Sequence, residues 1–280
     1  MSLAGAVITP HPPIIVPEIG GSRQPEVEET IRAMRSLSRL VADAAPDTLV
    51  LISPHAPLMR EAMGVCIADR YEGSFSAFGA PQVGLELEGN PELANAIMRS
   101  SLKRQVSVRP LGGSGGQTFP LDHGALVPLY FLADAIRPAP RLVLLAFSLQ
   151  NLPAHVDFGQ AIGAVLGAHL GRTLFVASGD LSHRLSPGAP AGYSPKAAEF
   201  DAQVVEAVRQ GRLADLLSIP ESLRETAGEC GYRSLLVLLG MLQDLLYSAQ
   251  VLSYEGPFGV GYLVAMLDTE RSTGGGGLDV

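Results

Sequence analysis

The sequence has 280 residues, of which 47% are hydrophobic and 17% charged, with a formal net charge of −8. Such a chain can bury a sizeable core in one large domain or two small ones. Its acidic balance argues against nucleic acid and anionic membranes as partners. No apolar run reaches the roughly 20 residues needed to cross a bilayer, and no signal peptide is evident. Two cysteines, Cys66 and Cys230, cannot form a disulfide framework. We therefore expect a cytoplasmic protein.

The elements predicted along the chain alternate between apolar strands and helices. The first half contains a strand at 5–9, an amphipathic helix at 25–44, a fully apolar strand at 48–53, short strands at 64–69 and 73–79, a helix at 90–104 capped by Asn90, and a buried helix at 124–136. The second half contains strands at 141–148 and 173–179, helices at 154–170, 194–211 and 232–246, and a terminal strand pair at 249–256 and 259–267.

This alternation predicts βαβ units in an α/β fold, with a sheet covered by helices on both faces. The strands that begin at 48, 141 and 173 are continuous apolar runs, which suits strands buried on both sides. We expect one domain over residues 1–268. The glycine-rich segment 269–280 is interpreted as a flexible tail or linker, which is compatible with one domain cut from or tethered to something longer.

Four of the six histidines lie at the boundaries of predicted elements. His11 in TPHPP and His55 in SPHAP each follow an apolar strand between prolines, which stiffen the backbone that carries the imidazole. His183 follows a strand in SGDLSHRL, and His123 lies in LDHGALVPL before a buried helix. Ligands of open α/β sheets bind beyond the carboxyl ends of the strands. The positions therefore favour a metal or acid/base site, provided that the strands are neighbours.

A metal held by two histidines needs a further ligand, and Glu229 in GECGYRSLL is the best carboxylate on pattern. It lies in a glycine-flanked turn before an apolar helix, where it could instead interact with the helix dipole. Two histidines and one carboxylate leave three positions open, which suits O2-activating non-haem Fe(II). Cys230 beside it is an alternative ligand or a redox-active thiol, since a helix N-terminus lowers a thiol pKa. The residues alone leave these alternatives open.

The other polar residues give weaker indications. His155 and His169 fall inside a predicted helix and are interpreted as structural. Asp180 and Asp122 each precede a candidate histidine. Each of these carboxylates either orients that histidine or caps the turn that follows. The glycine-rich segment 111–120 lacks the signatures of a P-loop and of a dinucleotide fingerprint, so it is interpreted as a mobile loop beside the site.

Five segments in this order, TPHPP, SPHAP, LDHGALVPL, SGDLSHRL and GECGYRSLL, resemble the motifs of one known family. The chain is similar to the class III extradiol ring-cleavage dioxygenases, the superfamily of the catalytic subunit of protocatechuate 4,5-dioxygenase. It looks most like the branch that occurs beside or fused to AMMECR1 domains and is related to the Memo proteins. The resemblance covers about residues 4–267. It implies an α/β sandwich around a mixed sheet, with a metal in a cleft at one end.

The resemblance also implies roles for individual residues. His11 and His55 match the two iron-ligating histidines, and Glu229 matches the carboxylate ligand. Cys230 is the alternative third ligand, because the Memo relatives place a cysteine near this position. His183 falls where the family has its acid/base histidine, and His123 where a second histidine contacts substrate or dioxygen. Fe(II) is the implied cofactor, with zinc or another divalent metal as the alternative.

Three functions are compatible with this pattern. The first is an Fe(II)-dependent extradiol dioxygenase that uses O2 to cleave the ring of a catechol- or aminophenol-like aromatic. The second is a Memo-like metal-binding protein with a redox or partner-binding role and no dioxygenase activity. The third is a zinc hydrolase that uses the same ligands. The implied partners are a small aromatic substrate and O2, with a homo-oligomer and an AMMECR1-like domain or partner as further expectations.

Overall fold

The computed structural model describes residues 3–113 and 116–269. Its strands are β1 (Leu3–Thr9), β2 (Thr48–Ile52), β3 (Met63–Cys66), β4 (Arg70–Phe75), β5 (Ala80–Glu88), β6 (Val108–Leu111), β7 (Thr118–Pro120), β8 (Arg141–Ala146), β9 (Thr173–Ser178), β10 (Tyr247–Glu255) and β11 (Tyr262–Thr269). Its α-helices are α1 (Pro17–Gly20), α2 (Glu28–Ala44), α3 (Pro91–Lys103), α4 (His123–Leu132), α5 (Leu152–Ala168), α6 (Ala197–Arg209), α7 (Glu221–Ala227) and α8 (Tyr232–Leu242). Apart from Thr269, the predicted tail lies outside the described residues.

Eight strands form one mixed sheet in the order β10-β11-β1-β9-β2-β8-β3-β6. The four central strands, β1, β9, β2 and β8, run parallel to one another. The terminal strands β10 and β11 pair antiparallel, as predicted, and β11 also pairs antiparallel with β1. Because the central strands are parallel, their carboxyl ends meet at one edge of the sheet. This edge is called the carboxyl edge below.

Helices cover both faces of the large sheet. On β2, Val50 and Ile52 face a core shared with α3, α5, α6 and α8, whereas Leu49 and Leu51 face a core shared with α2 and α4. All residues of β2 are buried, as its continuous apolar run indicates. The predicted single-domain α/β fold, with a mixed and largely parallel sheet between helices, is confirmed.

A second, three-stranded sheet of order β5-β4-β7 packs beside α4 and was not predicted. The strand predicted at 73–79 is wrong in position, because β4 ends at Phe75 and a 3-10 turn follows over Ser76–Phe78. Gly79 ends this turn with a φ of +82°, a conformation that favours glycine. From residue 82 to residue 88, exposed side chains of β5 alternate with the half-buried or buried side chains of Val83, Leu85 and Leu87, so the sequence carries a period-2 strand signal that the prediction missed.

Helix starts also differ slightly from the predicted ones. The helix predicted from Pro25 begins as an α-helix only at Glu28, after a 3-10 segment that contains the proline. Val27 precedes it with a φ of −130°, outside the helical range, so the α-helix cannot extend further back. The cap predicted at Asn90 is confirmed, since its side chain accepts a hydrogen bond from the amide of Leu93.

In the described part of the chain, no helix combines the length and the apolar character that a membrane span requires.

Candidate metal centre

The candidate histidines converge because their strands are neighbours. His11 follows β1, His183 follows β9 and His55 follows β2, and β9 lies between β1 and β2 in the sheet. The strand adjacency that the sequence could not supply is therefore present. The turns after these strands bring their side chains together at the carboxyl edge, where ligands of parallel sheets bind.

Three histidines form a compact cluster. The ligand nitrogens of His11, His55 and His123 lie within 4.8 Å of one another, and they are the group among the described residues that could share one metal ion. His11 Nε2 and His55 Nε2 are 3.1 Å apart. The imidazole rings of His55 and His123 are stacked at 4.1 Å, and that of His11 meets both rings edge-on. We call these three residues the histidine triad.

The ring of His11 is held in one tautomer by its surroundings. The hydroxyl of Ser178, the last residue of β9, donates to the carbonyl of Gly124 at 2.6 Å. Because that hydroxyl proton is used, Ser178 Oγ accepts a hydrogen bond from His11 Nδ1 at 3.1 Å. Nδ1 therefore carries the ring proton, and Nε2 directs a lone pair into the triad. An acceptor on the other ring nitrogen is what fixes the orientation of an imidazole that binds a metal.

His55 and His123 are brought together by a bond between the two segments that carry them. Ser53, at the end of β2, donates to Asp122 Oδ1 at 2.6 Å, and the His55 amide donates to Ser53 Oγ. Asp122 also caps α4 by accepting from the Ala125 amide, which confirms the capping role considered for it. His123 is the first residue of α4, so the cap fixes its position beside His55.

Asp180 and His183 lie next to the triad on the loop after β9. Asp180 is buried, and its Oδ1 accepts from the His11 amide at 2.9 Å. Its Oδ2 lies 3.8 Å from His11 Nε2 and 4.0 Å from His183 Nε2. His183 Nδ1 donates to the Gly228 carbonyl at 2.6 Å, which leaves Nε2 able to accept a proton. His183 therefore lies beside the triad rather than within it.

Glu229 and Cys230 are adjacent in sequence but have different surroundings. Glu229 Oε2 accepts a hydrogen bond from the Tyr232 amide at 2.6 Å, so this carboxylate binds the start of α8 and lies outside the triad. Cys230 Sγ lies 3.8 Å from His11 Nε2 and accepts from the Asp180 amide. Of the two candidate third ligands, the thiol is the one found against a triad histidine.

Two glycines allow this arrangement of loops. A Cβ on Gly179 would lie 2.1 Å from the Cα of Gly231, so only glycines let the segments after β9 and before α8 approach so closely. The amides of Cys230 and Gly231 both donate to the Asp180 carbonyl in this contact. The segment SGD after β9 and the segment ECG before α8 therefore pack directly against each other, and Asp180 lies beside Cys230.

Burial dominates the electrostatics of the site. It lowers the pKa of His11 well below the usual value, and neighbouring His55 and His123 lower it further. It lowers the pKa of His123, raises the pKa of Asp180 to about 6 and raises that of Cys230 well above its usual range. Desolvation disfavours each charged form, and a cation at this position would offset that penalty for the carboxylate and the thiolate.

The donor set fits a divalent metal ion. Nitrogen ligands about 2.0–2.1 Å from one ion lie roughly 2.8–3.4 Å apart at bond angles between about 90° and 109°. The His11–His55 separation of 3.1 Å falls within this range. A thiolate about 2.3 Å from the same ion would lie roughly 3.6 Å from such a nitrogen, close to the 3.8 Å between Cys230 Sγ and His11 Nε2.

Several residues that build the site were not singled out from the sequence. Ser53 and Ser178 end predicted strands and connect the triad, yet a serine at a strand end gives no signal of its own. Asp180 was considered as a partner of His183 or as a cap of the following turn, whereas it also accepts from the His11 amide. His155 was correctly interpreted as structural, since it is buried in α5 with its ring nitrogens against backbone carbonyls.

Comparison with curated proteins gives two relatives. The chain is 33% identical over 272 residues to Protein CA_C1420 of Clostridium acetobutylicum, covering 96% of the chain and 58% of that protein. The chain thus spans less than two thirds of the length of this relative. It is 25% identical over 228 residues to a 2,3-dihydroxyphenylpropionate/2,3-dihydroxicinnamic acid 1,2-dioxygenase of Mycolicibacterium gilvum, covering 79% of the chain and 69% of that enzyme.

The fold is similar to that of the uncharacterized protein JW3007 from Escherichia coli K12, with a TM-score of 0.64 at 19% identity. This match covers 95% of the chain and 99% of that protein. A family model described as the catalytic LigB subunit of aromatic ring-opening dioxygenase matches residues 5–265. The chain therefore belongs to the LigB family of aromatic ring-opening dioxygenase catalytic subunits.

Proposed function

We propose that this protein is a metal-dependent extradiol-type dioxygenase that opens the ring of a catechol- or aminophenol-like aromatic with O2. The observation that carries the proposal is the histidine triad, with His183 beside it, at the carboxyl edge of a LigB-family fold. Family membership supports the class of reaction.

The triad residues would hold the metal, with Fe(II) as the ion proposed. His11 Nε2 and His55 Nε2 already have a separation that suits two ligands of one ion. His123 completes the cluster or contacts the ligands that enter its open positions. When bound, Fe(II) supplies a charged template that orients the substrate oxygens and O2.

His183 would act as the base for the substrate hydroxyl. Its Nδ1 proton is engaged by the Gly228 carbonyl, so the lone pair of Nε2 is the group available to accept a proton. Asp180 Oδ2, 4.0 Å away, would stabilise the imidazolium that forms. Because the Asp180 carboxylate also accepts from the His11 amide, it ties the position of the base to that of the triad.

The test is an anaerobic loading with Fe(II), followed by addition of air and a panel of catechols and aminophenols. The yellow ring-fission product is followed by absorbance. We expect turnover with at least one compound and a loss of about 10²–10⁴-fold in kcat for His183→Gln, with iron content unchanged. His169→Gln, a change at the exposed end of α5, is the matched control. Absence of a chromophore with every compound would overturn the proposal.

The position of Cys230 favours a second candidate, a metal-binding protein of the Memo-like kind without dioxygenase activity. Its Sγ lies 3.8 Å from His11 Nε2, a distance suited to a thiolate ligand. If the protein has this second function, we expect Cys230→Ser to lose metal affinity and the wild type to turn over no aromatic diol. Full metal occupancy in that variant, measured by elemental analysis, would remove its support. A protein that binds zinc alone and hydrolyses esters would support the hydrolase instead.

A further inference from the structure

An aromatic side chain lies against the triad from outside the large sheet. Phe78 is the last residue of the 3-10 turn between β4 and β5, in the small sheet that the sequence did not predict. Its ring centroid lies 5.4 Å from that of His123, in an edge-to-face arrangement. The small sheet therefore contributes a wall to the site, and Phe78 is the residue by which it reaches the triad.

Phe78 is held in place by the core beneath it. Its ring meets that of Phe75 at 6.4 Å, and Phe75 is buried and meets Tyr130 of α4 at 6.4 Å. These centroid separations lie in the range of favourable aromatic pairs. Phe78 is thus anchored on one side, yet 39% of the residue is exposed. A partly exposed ring that is packed against the core on one side is suited to packing against a flat ligand.

Exposed apolar side chains are common and usually need no explanation. Most of those in the described part of the chain are leucines scattered over the surface. Tyr193, in the segment between β9 and α6, is the other exposed aromatic residue among them. Phe78 differs because its exposed ring contacts a residue of the candidate metal centre.

We propose that Phe78 is a specificity-determining residue, whose open face packs against the ring of a bound aromatic diol while the two oxygens of that diol meet the metal. The inference rests on the proposed function and deepens it. It implies selection of flat aromatic chelators over aliphatic ones that offer the same pair of oxygens. Stacking on Phe78 would also fix the plane of the ring relative to His123 and His55.

The experiment uses the full chain loaded with Zn(II), so that ligands bind without turnover. Visible absorbance follows the titration with 4-nitrocatechol, and competition gives the affinity for acetohydroxamate, which chelates through two oxygens and has no ring. We expect Phe78→Leu to weaken 4-nitrocatechol binding about tenfold and to leave acetohydroxamate binding unchanged. Phe78→Tyr keeps the ring and is expected to stay within about twofold of the wild type. Tyr193→Leu is the matched control.

Three results would overturn the role of Phe78 while the proposed function stands. These are unchanged 4-nitrocatechol binding in Phe78→Leu, an equal loss for both chelators, and an equal loss in Tyr193→Leu. Zinc content and thermal unfolding are measured for each variant, and a Phe78→Leu protein that loses zinc would likewise contradict a role in ring binding. Failure of the zinc-loaded wild type to bind 4-nitrocatechol would instead overturn the diol site itself, and with it both proposals.

Discussion

His11 and His155 are both buried histidines, and burial lowers the pKa of both, yet their second ring nitrogens meet different groups. The ring nitrogens of His155 lie 2.9 and 3.1 Å from the carbonyls of Asn151 and Ser148. His11 has one nitrogen on Ser178 and the other 3.1 Å from a nitrogen of His55. Burial and pKa therefore do not separate a structural histidine from a ligand. The difference lies in the partners of the ring nitrogens. In His155 both ring nitrogens lie against backbone carbonyls, whereas in His11 one ring nitrogen faces a nitrogen of His55.

Removing each histidine would give the largest effect and would test this contrast directly. We expect His11→Ala to lower metal affinity by more than about 100-fold, because it removes a ligand rather than a supporting group. His155→Ala should leave metal affinity unchanged and cost about 2–3 kcal/mol, since it removes the ring that donates to a buried carbonyl and leaves a cavity in its place. Metal binding is measured by competition with a chelator dye and stability by urea unfolding. If His155→Ala lost the metal while His11→Ala kept it, then His155 and not His11 would be the metal ligand.

Two buried carboxylates show the same contrast as the two histidines. Asp180 faces the triad, whereas Asp201 accepts from the Ser182 amide and the Tyr254 hydroxyl, so both of its oxygens are satisfied. Burial raises the pKa of Asp201 to about 6, above an unfolded value of about 3.9. Between these two pH values the folded chain holds a proton that the unfolded chain releases. The stability contribution of Asp201 therefore falls as pH rises from about 4 to about 6.

This pH dependence amounts to about 3 kcal/mol across that window. In Asp201→Asn we expect this part of the pH dependence to disappear. Urea unfolding of metal-free protein at pH 4.5, 5.5 and 7 measures it, and the comparison isolates Asp201 because Asp180 is present in both proteins. Parallel curves for the wild type and the variant would show that Asp201 does not titrate as described.

The sequence was sufficient to predict the parallel core and the histidine-bearing turns. Continuous apolar runs mark β2, β8 and β9, and prolines mark the turns that carry His11 and His55. It could not supply the strand order, because adjacency of β1, β9 and β2 depends on long-range pairing. The small sheet was missed although Val83, Leu85 and Leu87 give β5 a period-2 apolar pattern, and β7 with its three residues gives no signal of its own, so Phe78 was not considered.

The sequence also could not predict the direction in which neighbouring side chains point. Glu229 and Cys230 are neighbours in one turn, and residue type and spacing cannot tell which of them points to the metal. The contacts separate them, since Glu229 binds the start of α8 and Cys230 lies against His11. The role of Glu229 as a ligand, which the family resemblance implies, stays a prediction, and it is tested below.

Gly124 offers a smaller perturbation of the triad that leaves its histidines intact. A Cβ there would lie 2.5 Å from Ser53 Oγ and 3.0 Å from His55 Cδ2. We expect Gly124→Ala to displace the Ser53 link, costing about 1–3 kcal/mol in stability and about tenfold in metal affinity. Gly167→Ala is the control, because a Cβ in that turn of α5 meets nothing within 4 Å and should stabilise the helix slightly. Equal effects of the two substitutions would contradict the steric argument.

The smallest expected effect is that of Glu229→Gln, and it decides between the adjacent candidate ligands. Glutamine keeps an oxygen that accepts from the Tyr232 amide, so the contact at the start of α8 survives. Loss of the charge removes a favourable interaction with the helix N-terminus, worth about 0.3–1 kcal/mol. Burial raises the pKa of Glu229, so part of this loss is offset by easier desolvation. Metal affinity should stay within about twofold of the wild type. A loss of tenfold or more would instead make Glu229 a ligand, and the loop that carries Cys230 would then have to turn when the metal binds.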